Sequence, residues 1–233
     1  MVIGSNTDCY QPVERELRIT RAVLETLAAC DHPVSLVTKS SLVERDIDIL
    51  APMAQQGLAE VFVTVTSLDR TLSRHLEPRA AAPQRRLETI RHLAEAGVPV
   101  GVMTAPIIPA LNDAEMENIL EAAHDAGASK AAYVLLRLPM ELAELFEQWL
   151  RLHTPLKADH VLSLIRQSRG GKAYDSSFHT RMKGQGIFAE MIAKRFQLAC
   201  KRLGYNLPGK TLDTSRFKPP MHKTPSNQLD LFD

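Results

Sequence analysis

Cysteine is scarce in these 233 residues: there are three, at Cys9, Cys30 and Cys200, all far apart. An odd and scattered set excludes a disulfide framework, and no pair has the C-x2-C spacing of a metal loop. The eight histidines, at 32, 75, 92, 124, 153, 160, 179 and 222, never recur at ligand spacing, so each reads as a surface or hydrogen-bonded side chain. Aromatic residues make up 5% and include a single tryptophan, Trp149, which shares a helical face with Phe146 and Leu150 and reads as core. No apolar run approaches the roughly 20 residues of a membrane span, and no basic, apolar leader precedes Glu14. A cytoplasmic protein is expected.

What is present suits one large α/β core: 45% hydrophobic residues with 24% charged ones. The net charge of +1 conceals an asymmetry. Residues 1–150 hold 13 Lys and Arg against 21 Asp and Glu, whereas residues 151–233 hold 15 against 6. A basic C-terminal third either grips a polyanion through counterion release or forms an inner surface neutralising the acidic part.

Apolar, β-branched runs at Val34 to Thr38, Val61 to Val65, Val98 to Met103 and Tyr133 to Leu136 are each followed by a helical pattern, with Val2-Ile3 as the stub of another strand. In the first helix Val13, Leu17, Thr20, Leu24 and Leu27 recur at spacings of three and four, behind Pro12. Asn112-Asp113 is expected to cap a helix from Met116 that Gly127 ends. Strands this apolar are covered on both faces, and right-handed crossovers make them parallel. The expected fold is α/β, a partial parallel (βα) barrel over residues 1–152, incomplete at its N-terminus. A basic, mainly helical module over 153–207 follows it, and then a disordered tail over 208–233.

In such a barrel the chemistry collects where strands end. Those places hold Ser5-Asn6-Thr7-Asp8, Thr38-Lys39-Ser40-Ser41, Thr64, Thr66 and Ser67 with Glu77-Pro78-Arg79, and Ala105 to Pro109. A carboxylate for an ammonium, a lysine for a carboxylate and hydroxyls for a ribose would hold a zwitterionic, nucleoside-sized ligand. The same residue types also cap helices, so for each residue singly both readings stand.

Asn6-Thr7-Asp8 with Tyr10-Gln11-Pro12, Thr38-Lys39-Ser40, Glu77-Pro78-Arg79 and the stretch Pro106 to Asp113 resemble radical S-adenosylmethionine proteins of the spore photoproduct lyase-like group, over most of the chain. The resemblance implies a partial (βα)6 barrel, S-adenosylmethionine, and a [4Fe-4S] cluster held by a C-x3-C-x2-C loop. That loop is not among these residues, so the cluster is expected only in a longer or completed form, and this chain alone is expected to be inactive. By resemblance, Thr7 and Asp8 match the contact to the cofactor's amino group and Lys39 the contact to its carboxylate. Thr64 matches a hydroxyl position, while Arg79 and the Pro106 to Asp113 loop fall near sugar and adenine. The implied chemistry is reductive cleavage of the sulfonium to a 5′-deoxyadenosyl radical, on a nucleic-acid-linked substrate. Spore photoproduct lyases carry a hydrogen-donating cysteine where Ser5 stands, so thymine-dimer reversal is not expected.

Residues 163–202 interleave Arg169, Lys172, Arg181 and Lys183 with glycines and aromatics, either a DNA- or RNA-binding loop or a glycine-rich connector. A helix from Ile187 to Leu203 follows, capped by Gly204. The terminal Gln228-Leu229-Asp230-Leu231-Phe232 resembles the bacterial sliding-clamp binding motif, with Gln228, Leu229, Leu231 and Phe232 as anchors on a flexible tail. Two further classes compete: a non-catalytic nucleic-acid or clamp adaptor, and an aldolase-type barrel with Lys39 as Schiff base.

Overall fold

Runs of Val, Leu and Ile four to eight residues long, separated by turns, give strands, and the intervening 3.6-residue periodicities give the helices that cover them. The computed structural model describes residues 1–171, 181–208 and 211–219. Among these the order is β1 (Val2–Ile3), α1 (Glu14–Leu17), α2 (Ile19–Ala29), β2 (Val34–Thr38) and, after a 3-10 helix at Ser41–Asp46, α3 (Ile47–Gln55). There follow β3 (Ala59–Thr64), α4 (Arg70–Leu76), α5 (Pro83–Glu95), β4 (Val100–Ile107), α6 (Met116–Asp125), β5 (Lys130–Leu135), α7 (Leu142–His153), α8 (Ala158–Gln167) and α9 (Ile187–Leu203). The strands form one open sheet in the order β1-β2-β3-β4-β5, each pair parallel. The α/β class and parallel sheet are as expected.

Register places Leu36 beside Val61 and Val61 beside Val100, all fully buried against Leu24, Leu50, Ile90 and Leu120 of the covering helices. Burying each such side chain contributes roughly 1.5–3 kcal/mol. The opposite face carries Val37, Phe62 and Gly101 in one row. A Cβ at Gly101 would run into the Phe62 ring, so glycine lets that ring lie across the sheet.

Three local expectations are corrected. The first helical pattern breaks at Arg18, which adopts φ 51°, and Val13 and Leu17 are exposed while Thr20, Leu24 and Leu27 are buried. The break is stabilised by Glu14, whose carboxylate accepts from the backbone N–H groups of Ile19 (3.1 Å) and Thr20 (2.9 Å) and so caps α2. Asn112 does not cap α6. Its side chain accepts from Ile108 N (2.6 Å) and donates to the carbonyls of Thr66 (2.7 Å) and Pro106 (3.0 Å), and so ties the segment after β3 to the end of β4 instead. Within the expected tail, residues 211–219 lie along the turns before β3 and β2. Asp213 N donates to Gly57 O (2.9 Å), Lys218 N donates to Cys30 O (2.8 Å), and the Lys218 ammonium pairs with Asp31 (2.8 Å).

The α9 helix shares the main core through Ile192, Phe196 and Ala199, and α7 and α8 build a second apolar cluster with Ile108 and Leu138. Arg195 ties α9 to α6 by two contacts to Glu117, at 2.6 and 2.8 Å, and one to Asp113. The reading in which basic residues neutralise the acidic part therefore holds for Arg195. The Arg195 hydrogen bond outweighs burial and holds the Glu117 carboxyl below its usual 4.5. The folded chain thus keeps this group ionised where the unfolded chain would protonate it. The contribution is complete above pH 4.5 and is lost as pH falls through the lower folded value. In urea titrations between pH 7 and 3, Glu117→Gln should be less stable than the parent at pH 7, with the difference shrinking toward pH 3; a constant difference would contradict the pairing.

Candidate functional site

The turn that leaves β1 begins at Gly4, whose φ of 89° and close approach to the Val37 carbonyl exclude a side chain. This brings the loop from Ser5 to Asp8 over the end of β2. There Asp8 Oδ1 accepts from Thr38 Oγ1 (2.8 Å) and Tyr10 N (2.9 Å), and Oδ2 accepts from Lys39 N (2.8 Å). The two loops are thereby stitched together through one carboxylate.

Beneath them Tyr10 is buried and donates its hydroxyl to Asp46 (3.0 Å). Asp46 is fully buried and also accepts from Arg21 (3.0 Å) and from Arg45 Nε (2.9 Å) and Nη2 (3.0 Å). Burial, followed by the Asp46 charge, raises the Tyr10 phenol far above its ordinary range, so it remains a donor. Burial, with the Asp8 charge second, pushes the Cys9 thiol up to about 12, so it stays protonated at neutral pH.

On the far side, Glu77 follows α4 and faces Lys39 at 3.5 Å. Its carboxylate accepts from Thr66 Oγ1 (2.8 Å) and from Arg86 Nη2 (2.7 Å). Arg86, only 1% exposed, donates in addition to Ala81 O (2.7 Å) and Thr64 O (3.1 Å), which fixes the loop between α4 and α5 to the end of β3. Arg85, next to it, bonds Glu44 at 2.7 Å. Burial alone would raise the Glu44 carboxyl, but hydrogen bonds from Arg85, Thr89 and His92 outweigh it and hold the group below the usual range.

These loops enclose a cleft of about 740 Å³ at the carboxyl ends of β1 and β2. Thr7, Asp8, Lys39 and Arg79 all line it, together with Tyr10, Arg15, Ser40, Glu77 and Arg85. Thr64 does not: it is buried at the end of β3, and its carbonyl is held by Arg86. The hydroxyl residues that line the cleft are Thr7, Ser40 and Ser41, while Thr66, buried like Thr64, supports it from behind by bonding Glu77. Arg86 escaped the reading of the sequence, although its recurrence with Ile90 and Leu93 at spacings of four and three placed a charge on the apolar side of α5. A charged residue at a core position signals a buried pair.

A family model for the radical SAM superfamily matches residues 1–123. The chain belongs to the radical SAM superfamily. Among curated proteins, an uncharacterized protein of Mycobacterium tuberculosis is 33% identical over 169 residues, covering 72% of this chain and 50% of that protein. An uncharacterized protein of Methanocaldococcus jannaschii is 30% identical over 113 residues, 48% of this chain and 42% of that one. This radical SAM chain thus spans about half the length of the curated relatives it matches. Among solved structures, a point mutant of spore photoproduct lyase superposes with a TM-score of 0.59 at 17% identity, over 85% of this chain and 58% of that one. A second mutant of the same lyase gives 0.54 at 15% identity, over 83% and 56%. The open parallel sheet is therefore the partial barrel of the radical SAM fold.

The superfamily implies an iron–sulfur cluster, and the described residues do not fit one. Cys9, Cys30 and Cys200 are free thiols, and no group of three or more His, Cys, Asp or Glu among the described residues could hold a metal ion. Cys9 is protonated, and burial likewise raises Cys200, to about 11.

Of the residues expected to meet nucleic acid, Arg169 is buried and donates to the carbonyls of Leu135 (3.1 Å), Leu136 (2.8 Å) and Arg181 (3.0 Å), a structural role at the end of β5. Arg181 is half-buried, Lys183 is exposed, and Lys172 lies outside the described residues. The clamp-motif residues Gln228, Leu229, Leu231 and Phe232 also lie outside them. No helix among the described residues is long and apolar enough to cross a membrane.

Proposed function

We propose that the cleft binds S-adenosylmethionine, and that the chain is the cofactor-binding part of a radical enzyme with a nucleic-acid-linked substrate. The observation that carries this reading is the convergence of Thr7, Asp8, Lys39 and Arg79 on one cleft of about 740 Å³ in a chain of this superfamily. Lys39 would take the cofactor's carboxylate. A carboxylate offers about four acceptor positions, and Asp8 uses three of them within the protein, which leaves one on Oδ2 for the cofactor's ammonium. Thr7 would share the ammonium with Asp8, and Arg79 would lie toward the sugar. Bound there, the cofactor supplies an activated adenosyl sulfonium; the protein's part is to orient it. The cluster thiolates of an active enzyme would come from polypeptide outside this chain, and no electron-transfer step is assigned to Cys9, Cys30 or Cys200.

The aldolase reading is disfavoured by the surroundings of Lys39, which is 35% exposed and faces the Glu77 carboxylate instead of an apolar pocket. Exposed Lys183, Lys194 and Lys201 support a nucleic-acid contact on the basic side.

Calorimetric titration of the chain with S-adenosylhomocysteine and with 5′-methylthioadenosine, which lacks the amino-acid end, tests the reading. Lys39→Ala should weaken the first ligand about 10- to 100-fold, the loss of one charge-assisted contact, and leave the second unchanged. Absence of binding by the parent, or an equal loss for both ligands, would remove the assignment. In the same titrations a single-stranded oligonucleotide at low salt should bind the parent, and charge reversal at Lys183, Lys194 and Lys201 should abolish that binding; unchanged binding would exclude this surface.

A further inference from the structure

Helix α7 carries more apolar surface than it buries. Leu150 is fully buried, and Ala143 and Phe146 pack beside it against the cluster that holds Val161 and Ile165 of α8. That contact uses one face. A second stripe runs along the neighbouring flank: Leu142 is 45% exposed, Leu145 54% and Leu152 76%, Leu156 just past the helix end is fully exposed, and Trp149 is half-buried among them. At 100° per residue Leu142, Leu145, Trp149 and Leu152 fall within an arc of about 80°, centred about 120° from Leu150. The helix is firmly seated. Trp149 Nε1 donates to His75 O (3.1 Å) in the last turn of α4, and the His75 and His153 rings stack with centroids 4.4 Å apart. A fixed helix thus turns an apolar seam outward, and a continuous patch of this kind marks an interaction site.

Two features specify the occupant. From Leu142 to Leu156 the seam is spaced three, four, three and four residues, the spacing of the a and d positions through which helices pair with helices. The charges beside it are divided along the axis. Residues 141–147 hold Glu141, Glu144 and Glu147 and no Lys or Arg, while residues 151–157 hold Arg151 and Lys157 and no Asp or Glu. A copy of the same helix laid antiparallel satisfies both. With Leu142 against Leu152 of the copy and Leu145 against its Trp149, Arg151 of the copy falls opposite residue 143, between Glu141 and Glu144. Arg151 bonds Glu147 of its own helix (2.7 Å) yet remains 54% exposed, so it can reach across. Parallel pairing would set Glu144 on Glu144, and the three glutamates disfavour a polyanion in this place.

We propose that α7 is the contact of a two-fold symmetric dimer, its seam packed antiparallel against the seam of a second copy of this chain. A two-fold axis brings the same patch of both copies together, so the patch must complement itself, and this one does so in both its apolar spacing and its charge. The inference goes beyond the ligand of the cleft and does not depend on it.

Sedimentation velocity of the whole chain from about 1 to about 100 μM tests it, a range that brackets a micromolar dimer. The expected result is a monomer–dimer equilibrium that Leu145→Glu and Leu152→Glu each weaken at least tenfold. Both side chains are exposed, so the urea midpoints and the S-adenosylhomocysteine titrations of these variants should match the parent's, which separates this contact from the cleft. Orientation is read from disulfides. Leu142→Cys and Leu152→Cys chains, mixed and mildly oxidised, should cross-link to each other at least tenfold more than either does to itself. A chain that stays monomeric, whether the seam is then covered by residues 220–233 or by another protein, a dimer indifferent to both glutamates, or cross-links of like to like, would overturn the proposal.

Discussion

Asp46→Ala should lower the free energy of unfolding by about 3–5 kcal/mol, the cost of breaking a buried ionic network by removing one partner. Asp46 is fully buried and accepts from Tyr10, Arg21 and both Nε and Nη2 of Arg45. Without it the Tyr10 hydroxyl stays buried with no acceptor and two guanidinium groups lose their common counter-ion. Against a typical total of 5–15 kcal/mol this is a large share, and a urea midpoint would read it directly. Asp46→Asn keeps one acceptor oxygen for Tyr10 and should lose clearly less. Because Tyr10 N also bonds Asp8, the alanine variant should in addition weaken ligand binding at the cleft, measured under conditions where the variant is still folded. A loss below about 1 kcal/mol, or equal losses for alanine and asparagine, would show that the network is not what holds the loop after β1.

The second large effect is expected at Arg86. Arg86→Leu removes donors from Glu77, Thr64 O and Ala81 O at once and leaves the Glu77 carboxylate, 13% exposed, with Thr66 and the more distant Lys39. A loss of about 3–5 kcal/mol follows from stranding that charge. The pairing itself is read from a double-mutant cycle. Adding Glu77→Leu to Arg86→Leu should recover part of the loss, since replacing both partners with apolar groups costs less than orphaning one. If the double variant is destabilised by the sum of the two single losses, the pair is uncoupled and the account is wrong. The same cycle carries a functional readout. With Glu77 gone, Lys39 has lost its carboxylate neighbour, so discrimination between S-adenosylhomocysteine and 5′-methylthioadenosine should change in both variants that lack it.

Much of the scaffold was legible because it is written in short periods. The run Val34 to Thr38 became β2 with those bounds, and Ile187 to Leu203 became α9 with Gly204 in the left-handed cap position, since both patterns are complete within a few residues. The cleft was legible in part. Asp8 and Lys39 stand at strand ends, where a parallel sheet gathers its loops, and so they could be named together. Thr64 stands at a strand end too, yet it lies under Arg86, and a rule about strand ends cannot tell a residue in a wall from one behind it. Arg169 shows the opposite error: its basic neighbourhood suggested a phosphate contact, whereas three backbone carbonyls at the end of β5 claim its guanidinium.

Taken alone, the order of residues determined the alternation of strands and helices, the scatter of the three cysteines and the basic character of the C-terminal third, because each is a matter of composition or of spacing within a few residues. Only the folded chain decided that Asp46 collects Tyr10 and Arg21 from 36 and 25 residues away, that Glu77 stands between Lys39 and Arg86, and that Asn206 bonds the outer side of β5 while β1, among the described residues, pairs with β2 alone. Those are meetings between distant segments. Their geometry is set by which helix packs on which strand, and no local periodicity encodes that.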